Sequence, residues 1–340
     1  MQMDRDLGVA VAETLHRRGV RDLQGWEMLA ATGARGLRLV NETDLFREMW
    51  LTESNSRAFA VLEENTNRYA ARGARPVQWD ARKPIRTHSF DFIDLDPFGS
   101  PAPFLLAALE SAKDTSVVAV TATDLRVLTG AQRGVCETQY GARPLRGRLG
   151  PEGGLRVILA LLSRAARSQG RRIRPMLSYI RDYYVRTYVA LTVGVPGETE
   201  AVESVDTAAW RGPPLLAQGA IGPLWTGPLF DSEFVAHLEN PVRSERPAEV
   251  SAFLERLKEE CKVDVPFYFE PNTIASTFRL KNPPPLKPLL EHLRDKGYPA
   301  VRAHPRPAAF RTTAPAEIVA AVARDLTTER RHSQNDRVRA

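Results

Sequence analysis

The chemistry-bearing residues crowd into one stretch, Asp94-Leu95-Asp96-Pro97-Phe98-Gly99-Ser100-Pro101. A carboxylate beside a rigid proline and an aromatic ring can grip a planar amine. The exocyclic amine of a base is a poor nucleophile, because its lone pair is delocalised into the ring. Asp96 can hold one N–H and help localise that pair. A backbone carbonyl beside Pro97 can hold the second N–H, since proline fixes the turn. Phe98 can stack on the base face. With a donor that is already electrophilic, catalysis is then positioning and electrostatics. An ordinary Asp-Pro turn lacks the second acid, the aromatic and the flanking Pro101.

A second constellation suits a cofactor. Gly33-Ala34-Arg35-Gly36 is a glycine turn without the three-glycine dinucleotide fingerprint. Acids follow at later strand ends. Glu53 can accept from ribose hydroxyls and Asp80 from an adenine amine. No Gly-Lys-Ser/Thr phosphate loop occurs, so ATP is not expected. An adenosine cofactor without a phosphate tail, such as S-adenosylmethionine, suits the short turn. Chemistry on a base requires the target nucleotide to leave its stack, with Phe98 as platform and arginines as phosphate clamps.

These residues need a frame. Short apolar runs at 26–30, 48–53, 76–80, 90–95 and 116–121 read as strands, with helices at 56–69 and 103–112 between them. That recurrence predicts a parallel sheet covered on both faces. A long amphipathic helix is expected at 155–168, then strands at 175–180 and 184–193. After Val195-Pro196-Gly197 the pattern changes. Residues 211–228 are rich in Gly and Pro and read as a connector holding Trp225 as a packing residue. Helices at 248–261, 286–296 and 316–326 surround a short strand at 266–270, and 327–340 reads as a fraying polar tail. The expected domains are 1–197 and a smaller α+β domain at 198–330, with 331–340 as tail.

The chain has 340 residues with 43% hydrophobic and 26% charged, the balance of a globular protein. Cys136 and Cys261 stand alone, which excludes a disulfide scaffold and fits a reducing cytoplasm. No metal is expected from the scattered histidines, and Ser100 lacks a nucleophile-elbow frame. No membrane span, signal peptide or protein partner is implied. The net charge is +6, and residues 126–186 hold thirteen arginines and no lysine against three acids. Such clustering reads as an RNA face contacting phosphates, with Arg126, Arg143, Arg146 and Arg148 as candidates.

The chain resembles the tRNA guanine-N2 dimethyltransferases, especially the archaeal branch. The segments that carry the resemblance are Asp4-Arg5-Asp6-Leu7, Ala31 to Arg38, Asp94 to Pro101 and Thr121-Ala122-Thr123-Asp124. Tyr140 to Gly147, Gly222 to Pro228, Gly297-Tyr298 and Thr313-Ala314-Pro315 extend it over nearly the whole length. The resemblance implies an α/β, class I (Rossmann-like) S-adenosylmethionine-dependent methyltransferase fold with a family-specific C-terminal tRNA-binding domain. It implies transfer of one or two methyl groups to N2 of guanosine 26 of tRNA. By the same resemblance Asp96 is catalytic, Phe98 faces the guanine, and Arg5 and Arg35 belong to the cofactor site. Glu53 stands for the ribose acid, and Asp80 with the Ala81 backbone for the adenine contact.

The chain also departs from that family. Asp4 stands where Asn is usual, and the family's Phe-Tyr-Asn-Pro segment is missing before it, which leaves an upstream start or a thinner substrate wall. Cys136-Glu137-Thr138-Gln139-Tyr140 lacks two family charges. Two alternatives follow: a non-catalytic tRNA-binding protein on a degenerate methyltransferase fold, or another base amino-methyltransferase. The Phe98-Gly99-Ser100 continuation speaks against the latter.

Overall fold

The run Phe90–Leu95 is buried at almost every position. A strand of that kind needs neighbours on both edges and cover on both faces. A computed structural model describes residues 2–70, 73–194, 201–215, 219–244 and 246–339, with side chains as far as Thr328. The boundary expected at 197/198 lies outside the described residues, and so do the side chains of the 331–340 tail.

Seven strands form the central sheet: β1 (Leu23–Glu27), β2 (Phe46–Glu53), β3 (Ala74–Gln78), β4 (Phe90–Leu95), β5 (Ala112–Ala122), β6 (Arg171–Arg181) and β7 (Tyr184–Val193). Their order is β3-β2-β1-β4-β5-β7-β6. The first five strands run parallel. β7 enters antiparallel between β5 and β6. The order reverses between β1 and β4, and the crevice at such a reversal is where ligands bind in open α/β sheets. This is the class I methyltransferase arrangement.

Helices α1 (Gln2–Arg17), α2 (Ala34–Glu42), α3 (Ser56–Tyr69), α4 (Ala102–Ser111), α5 (Leu125–Leu128), α6 (Arg133–Tyr140) and α7 (Gly150–Arg167) belong to this first part. Beyond it, β8 (Val202–Asp206) pairs antiparallel with β9 (Ala220–Trp225). Then come α8 (Ser232–Ala236), α9 (Pro247–Glu260), α10 (Pro271–Thr277), α11 (Leu286–Asp295), the hairpin pair β10 (Ala300–Arg302) and β11 (Phe310–Thr312), and α12 (Ala316–Arg339). One apolar core runs from α1 through the sheet to β9, α8 and α9. A smaller one gathers Phe269, Ile274, Leu289, Leu293, Phe310 and Val319.

The structure corrects several expected elements. The first strand ends at Glu27, and Met28 to Ala30 form a loop in which Met28 and Ala30 are buried and Leu29 is half-buried. That loop still makes sheet-like bonds, Met28 N–H to Asp94 O and Ala30 N–H to Thr52 O, which is why its composition imitates a strand. The connector at 211–228 contains β9, where Pro223 sits on a two-stranded edge pairing that tolerates a missing donor. The strand at 266–270 reduces to one bridge, Phe269 to Phe310. α12 continues to Arg339, since no Gly or Pro interrupts 316–339.

Candidate active site

The loop from β1 to α2 and the turn from β4 to α4 face each other across a cleft of about 200 Å³. Its lining includes Arg5 from α1, Glu27 from the end of β1, Arg35 from α2, and Asp96, Pro97 and Phe98. The loop turns back through left-handed backbone at Ala31 (φ 50°) and Gly33 (φ 77°). Gly33 caps α2, and a side chain there would press on Leu62. Glu27 is buried and accepts from Gly36 N–H at 3.0 Å. Burial first, then the Asp94 charge, pushes the Glu27 carboxyl up to about 8, against the pull of Arg35.

Beneath the cleft lies a network of opposite charges. Arg35 Nη2 donates to Asp96 Oδ2 and to Asp4 Oδ2, each at 2.5 Å. Arg186 Nη2 donates to Asp94 Oδ2 at 2.5 Å, Nη1 to Thr121 Oγ1 at 2.6 Å and Nε to Tyr188 Oη at 2.9 Å. Tyr179 O–H donates to Asp4 Oδ1 at 2.6 Å. Asp4, Asp94, Arg35 and Arg186 are all buried, and Asp96 is half-buried at the edge. Burial alone would raise the Asp4 carboxyl, but Arg35 and Arg186 hold it at about 2. Buried charges so paired fix geometry more than they add stability. Here they fix the direction of the Asp96 carboxylate.

Phe98 behaves differently. Its residue is 97% exposed, while Pro97 beside it is buried. An aromatic ring presented to solvent at a cleft mouth is a platform for a planar ligand.

The expected cofactor residues divide. Arg5 and Arg35 line the cleft. Arg35 spends its Nη2 on carboxylates, so it positions Asp96 as well as walling the cleft. Gly33 shapes the loop from behind. Glu53 closes β2, and one carboxylate oxygen accepts from Asn55 N–H at 2.8 Å. Asp80 follows β3 and accepts from Arg82 Nε and Nη2 at 3.0 and 2.9 Å, bonds that lower its pKa. Ala81 is buried. Glu53, Asp80 and Ala81 lie outside the residues that line the cleft, on the neighbouring strand ends. Acceptor carboxylates at two strand ends beside an open cleft are groups that fit the hydroxyls and amine of an adenosine cofactor.

The arginine cluster needs correction. Arg156, Arg171 and Arg186 are buried and cannot touch RNA. Arg156 instead donates to Glu152 at 2.9 Å and to Trp225 O at 2.8 Å. Among the candidates, Arg126, Arg146 and Arg148 are exposed and Arg143 is half-buried. Arg146 Nε donates to Gly130 O at 3.0 Å, and Arg148 Nη1 to Glu270 Oε2 at 3.2 Å. The Arg143 backbone bridges Gly222 in both directions. Trp225 is buried and donates to Pro228 O, which agrees with packing. Among the described residues, no group of three or more His, Cys, Asp or Glu is arranged for a metal, and no helix is long and apolar enough to cross a membrane.

Sequence reasoning missed Glu27 and Arg186 as site residues. Glu27 had a signal, an acid six residues before Gly33 at a strand end. Arg186 had none, because it reaches the site only through the antiparallel insertion of β7.

Known proteins resemble this chain over nearly its whole length. The chain matches the family described as N2,N2-dimethylguanosine tRNA methyltransferase over residues 1–210 and 215–324. A tRNA (guanine(26)-N(2))-dimethyltransferase of Thermococcus kodakarensis is 34% identical, over 96% of this chain and 92% of its own. The enzyme of the same name from Mus musculus is 30% identical over 88% of this chain and 51% of its own. The solved structure of Trm1 from Pyrococcus horikoshii with S-adenosyl-L-methionine superposes with a TM-score of 0.82 at 29% identity, covering 95% of this chain and 92% of that one.

Proposed function

We propose, for a chain that belongs to the N2,N2-dimethylguanosine tRNA methyltransferase family, that Asp96, Pro97 and Phe98 receive the guanine of a tRNA nucleotide. The protein is an S-adenosylmethionine-dependent tRNA (guanine-N2-)-methyltransferase, adding one or two methyl groups to N2 of guanosine 26. S-adenosylmethionine supplies a methyl made electrophilic by its sulfonium. The chain supplies position. Phe98 stacks on the flipped base. One Asp96 oxygen accepts from an N2 hydrogen and draws off its proton, while Arg35 holds the other. The carbonyl beside Pro97 accepts the second N–H. Glu53 accepts from ribose hydroxyls, Asp80 and the Ala81 backbone meet the adenine, and Arg5 closes the cleft from α1.

The observation that carries this reading is the exposed Phe98 ring beside a carboxylate locked by Arg35. Residues 198–330 act as the tRNA-binding domain of this reading, next to a methyltransferase domain at 1–197. Exposed Arg126, Arg146 and Arg148, with Arg143, hold the phosphate backbone. A tRNA substrate and two unpaired cysteines support work in the cytoplasm.

The test is direct. Purified protein, S-adenosylmethionine and unmodified tRNA transcript should yield N2,N2-dimethylguanosine by nucleoside mass spectrometry. Asp96→Ala should abolish it with tRNA binding nearly intact. Full activity in that variant would remove Asp96 from the role, and a wild type inactive on several transcripts would favour a binding protein.

A further inference from the structure

The Phe98 ring is 97% exposed, so its place is set by the backbone of residues 97–100 and not by packing. That backbone is tied to the loop after β5. Gly99 N–H donates to Thr123 Oγ1 at 2.7 Å, and Thr123 N–H donates back to Gly99 O at 3.0 Å. Gly99 needs its φ of 91° to make the turn. Beside this pair, Tyr140 Oη lies 2.6 Å from Ser100 Oγ and 2.7 Å from Asp124 Oδ2. An ionised carboxylate only accepts. The single phenolic proton therefore goes to Asp124, and the Ser100 hydroxyl donates to Tyr140. Tyr140 is itself buried, and its carbonyl accepts from Arg164 Nη2 of α7 at 2.6 Å. A chain of polar contacts thus runs from a core helix to the turn that carries Phe98.

Asp124 is built for this bond. It stands at the N-cap of α5 yet makes no side-chain cap bond. Its Oδ1 is buried without a hydrogen-bond partner. A buried oxygen without a partner carries a desolvation cost, so the bond made by its neighbour matters more to the carboxylate. Here the other oxygen serves Tyr140.

Resting on the reading of the site given above, we propose that Tyr140 is a positioning residue that acts through Ser100 and Asp124, and that it governs the second methyl transfer more than the first. In each transfer an N2–carbon bond forms as the carbon–sulfur bond breaks, the bonding pair stays on sulfur, and one N2 proton passes by Asp96 to water. The unmethylated amine offers two N–H groups to the two acceptors of the turn. The monomethylated amine offers one. Its orientation then depends on the stacking platform, and the platform depends on Tyr140. A loosened platform costs the step with fewer hydrogen bonds more.

The experiment compares wild type with Tyr140→Phe, which keeps the ring and removes the hydroxyl. Asp124→Asn is the second variant, since it keeps the shape and weakens the acceptor. Amide hydrogen exchange over 97–102 is read on the ligand-free protein. Single-turnover rates are read on guanosine and on N2-methylguanosine transcripts, with S-adenosylmethionine affinity by calorimetry. The expected result is faster exchange in that segment and a second-transfer rate lowered about tenfold more than the first, with cofactor affinity within about twofold. Unchanged exchange, or equal loss in both transfers, would overturn the proposal. A wild type that binds the cofactor and methylates no guanosine would overturn the site reading itself, while the exchange rates would still decide whether Tyr140 holds the turn.

Discussion

Arg35 Nη2 lies 2.5 Å from Asp96 Oδ2, so the carboxylate proposed to grip guanine N2 is aimed by a buried guanidinium. The same nitrogen reaches Asp4, and Nε lies 3.8 Å from Asp94 Oδ1. Lysine cannot span three carboxylates, being a single point charge on a flexible stem. Arg35→Lys should therefore lower single-turnover methylation by about tenfold or more, with tRNA affinity changed by about twofold or less. Methylation at the wild-type rate would separate Arg35 from the aim of Asp96.

Asp4 gives this cluster an acid-sensitive side. Arg35 and Arg186 hold its carboxyl at about 2 in the fold, below the ordinary 3.8. The ionised form is thus favoured in the fold. That contribution to stability is present above about pH 4 and is lost as the pH falls toward 2. Asp4→Asn should flatten the acid limb of a stability curve over that window. An unaltered limb would show that Arg35 and Arg186 rearrange to compensate.

Glu27 has the opposite sign. Burial and Asp94 raise its pKa from 4.5 to about 8. The neutral acid is favoured in the fold, so its contribution is fully present below pH 4.5 and is lost as the pH rises through 8. Glu27→Gln cannot ionise. Relative to wild type it should gain melting temperature as the pH is raised from 6 to 9 in the absence of cofactor. Parallel curves for the two proteins would count against a buried neutral Glu27.

How far these residues were legible depended on how local their signals are. The β4 strand and the turn after it are contiguous, so Asp96, Pro97 and Phe98 could be picked out together. β7 matched its expected range, Tyr184–Val193, because β-branched and aromatic residues fill it. α1 was not legible as a helix. Asp4 and Asp6 are buried among its apolar residues, and partners distant in sequence, Arg35, Arg38, Tyr179, Arg186 and Ser244, explain why. Composition also merged two kinds of arginine. Arg156 and Arg126 look alike in the chain, yet one is sealed against Glu152 and the other faces solvent.

A second buried network joins α7 to the C-terminal part. Arg311 donates to Glu260 Oε1 at 2.7 Å and to Glu152 Oε2 at 3.0 Å, and all three are buried. Removing Arg311 takes away the cation that both carboxylates share, leaving Glu152 with Arg156 and Glu260 with His304. Arg311→Ala should lower unfolding free energy by about 3–5 kcal/mol, measured by denaturant titration. Arg311→Met, which fills the space, would leave Glu152 to Arg156 and Glu260 to His304 without the cation they share, and should not restore it. A loss below about 1 kcal/mol would mean that water replaces the guanidinium.

The exposed arginines make the last prediction. A phosphate contact releases counterions, so losing one lowers the slope of log affinity against log salt by about one. Arg126→Ala and Arg146→Ala should each do this, weakening tRNA binding at low salt without selecting among sequences. Arg148 is held by Glu270 at 3.2 Å, so part of its charge is already neutralised. Arg148→Ala should change the slope less than either. Arg156→Ala should leave the slope alone and lower stability instead, because that side chain is buried on Glu152. Filter binding over a salt series, alongside thermal melts, separates these outcomes. Equal slopes for wild type, Arg126→Ala and Arg146→Ala would move the RNA footprint away from this face.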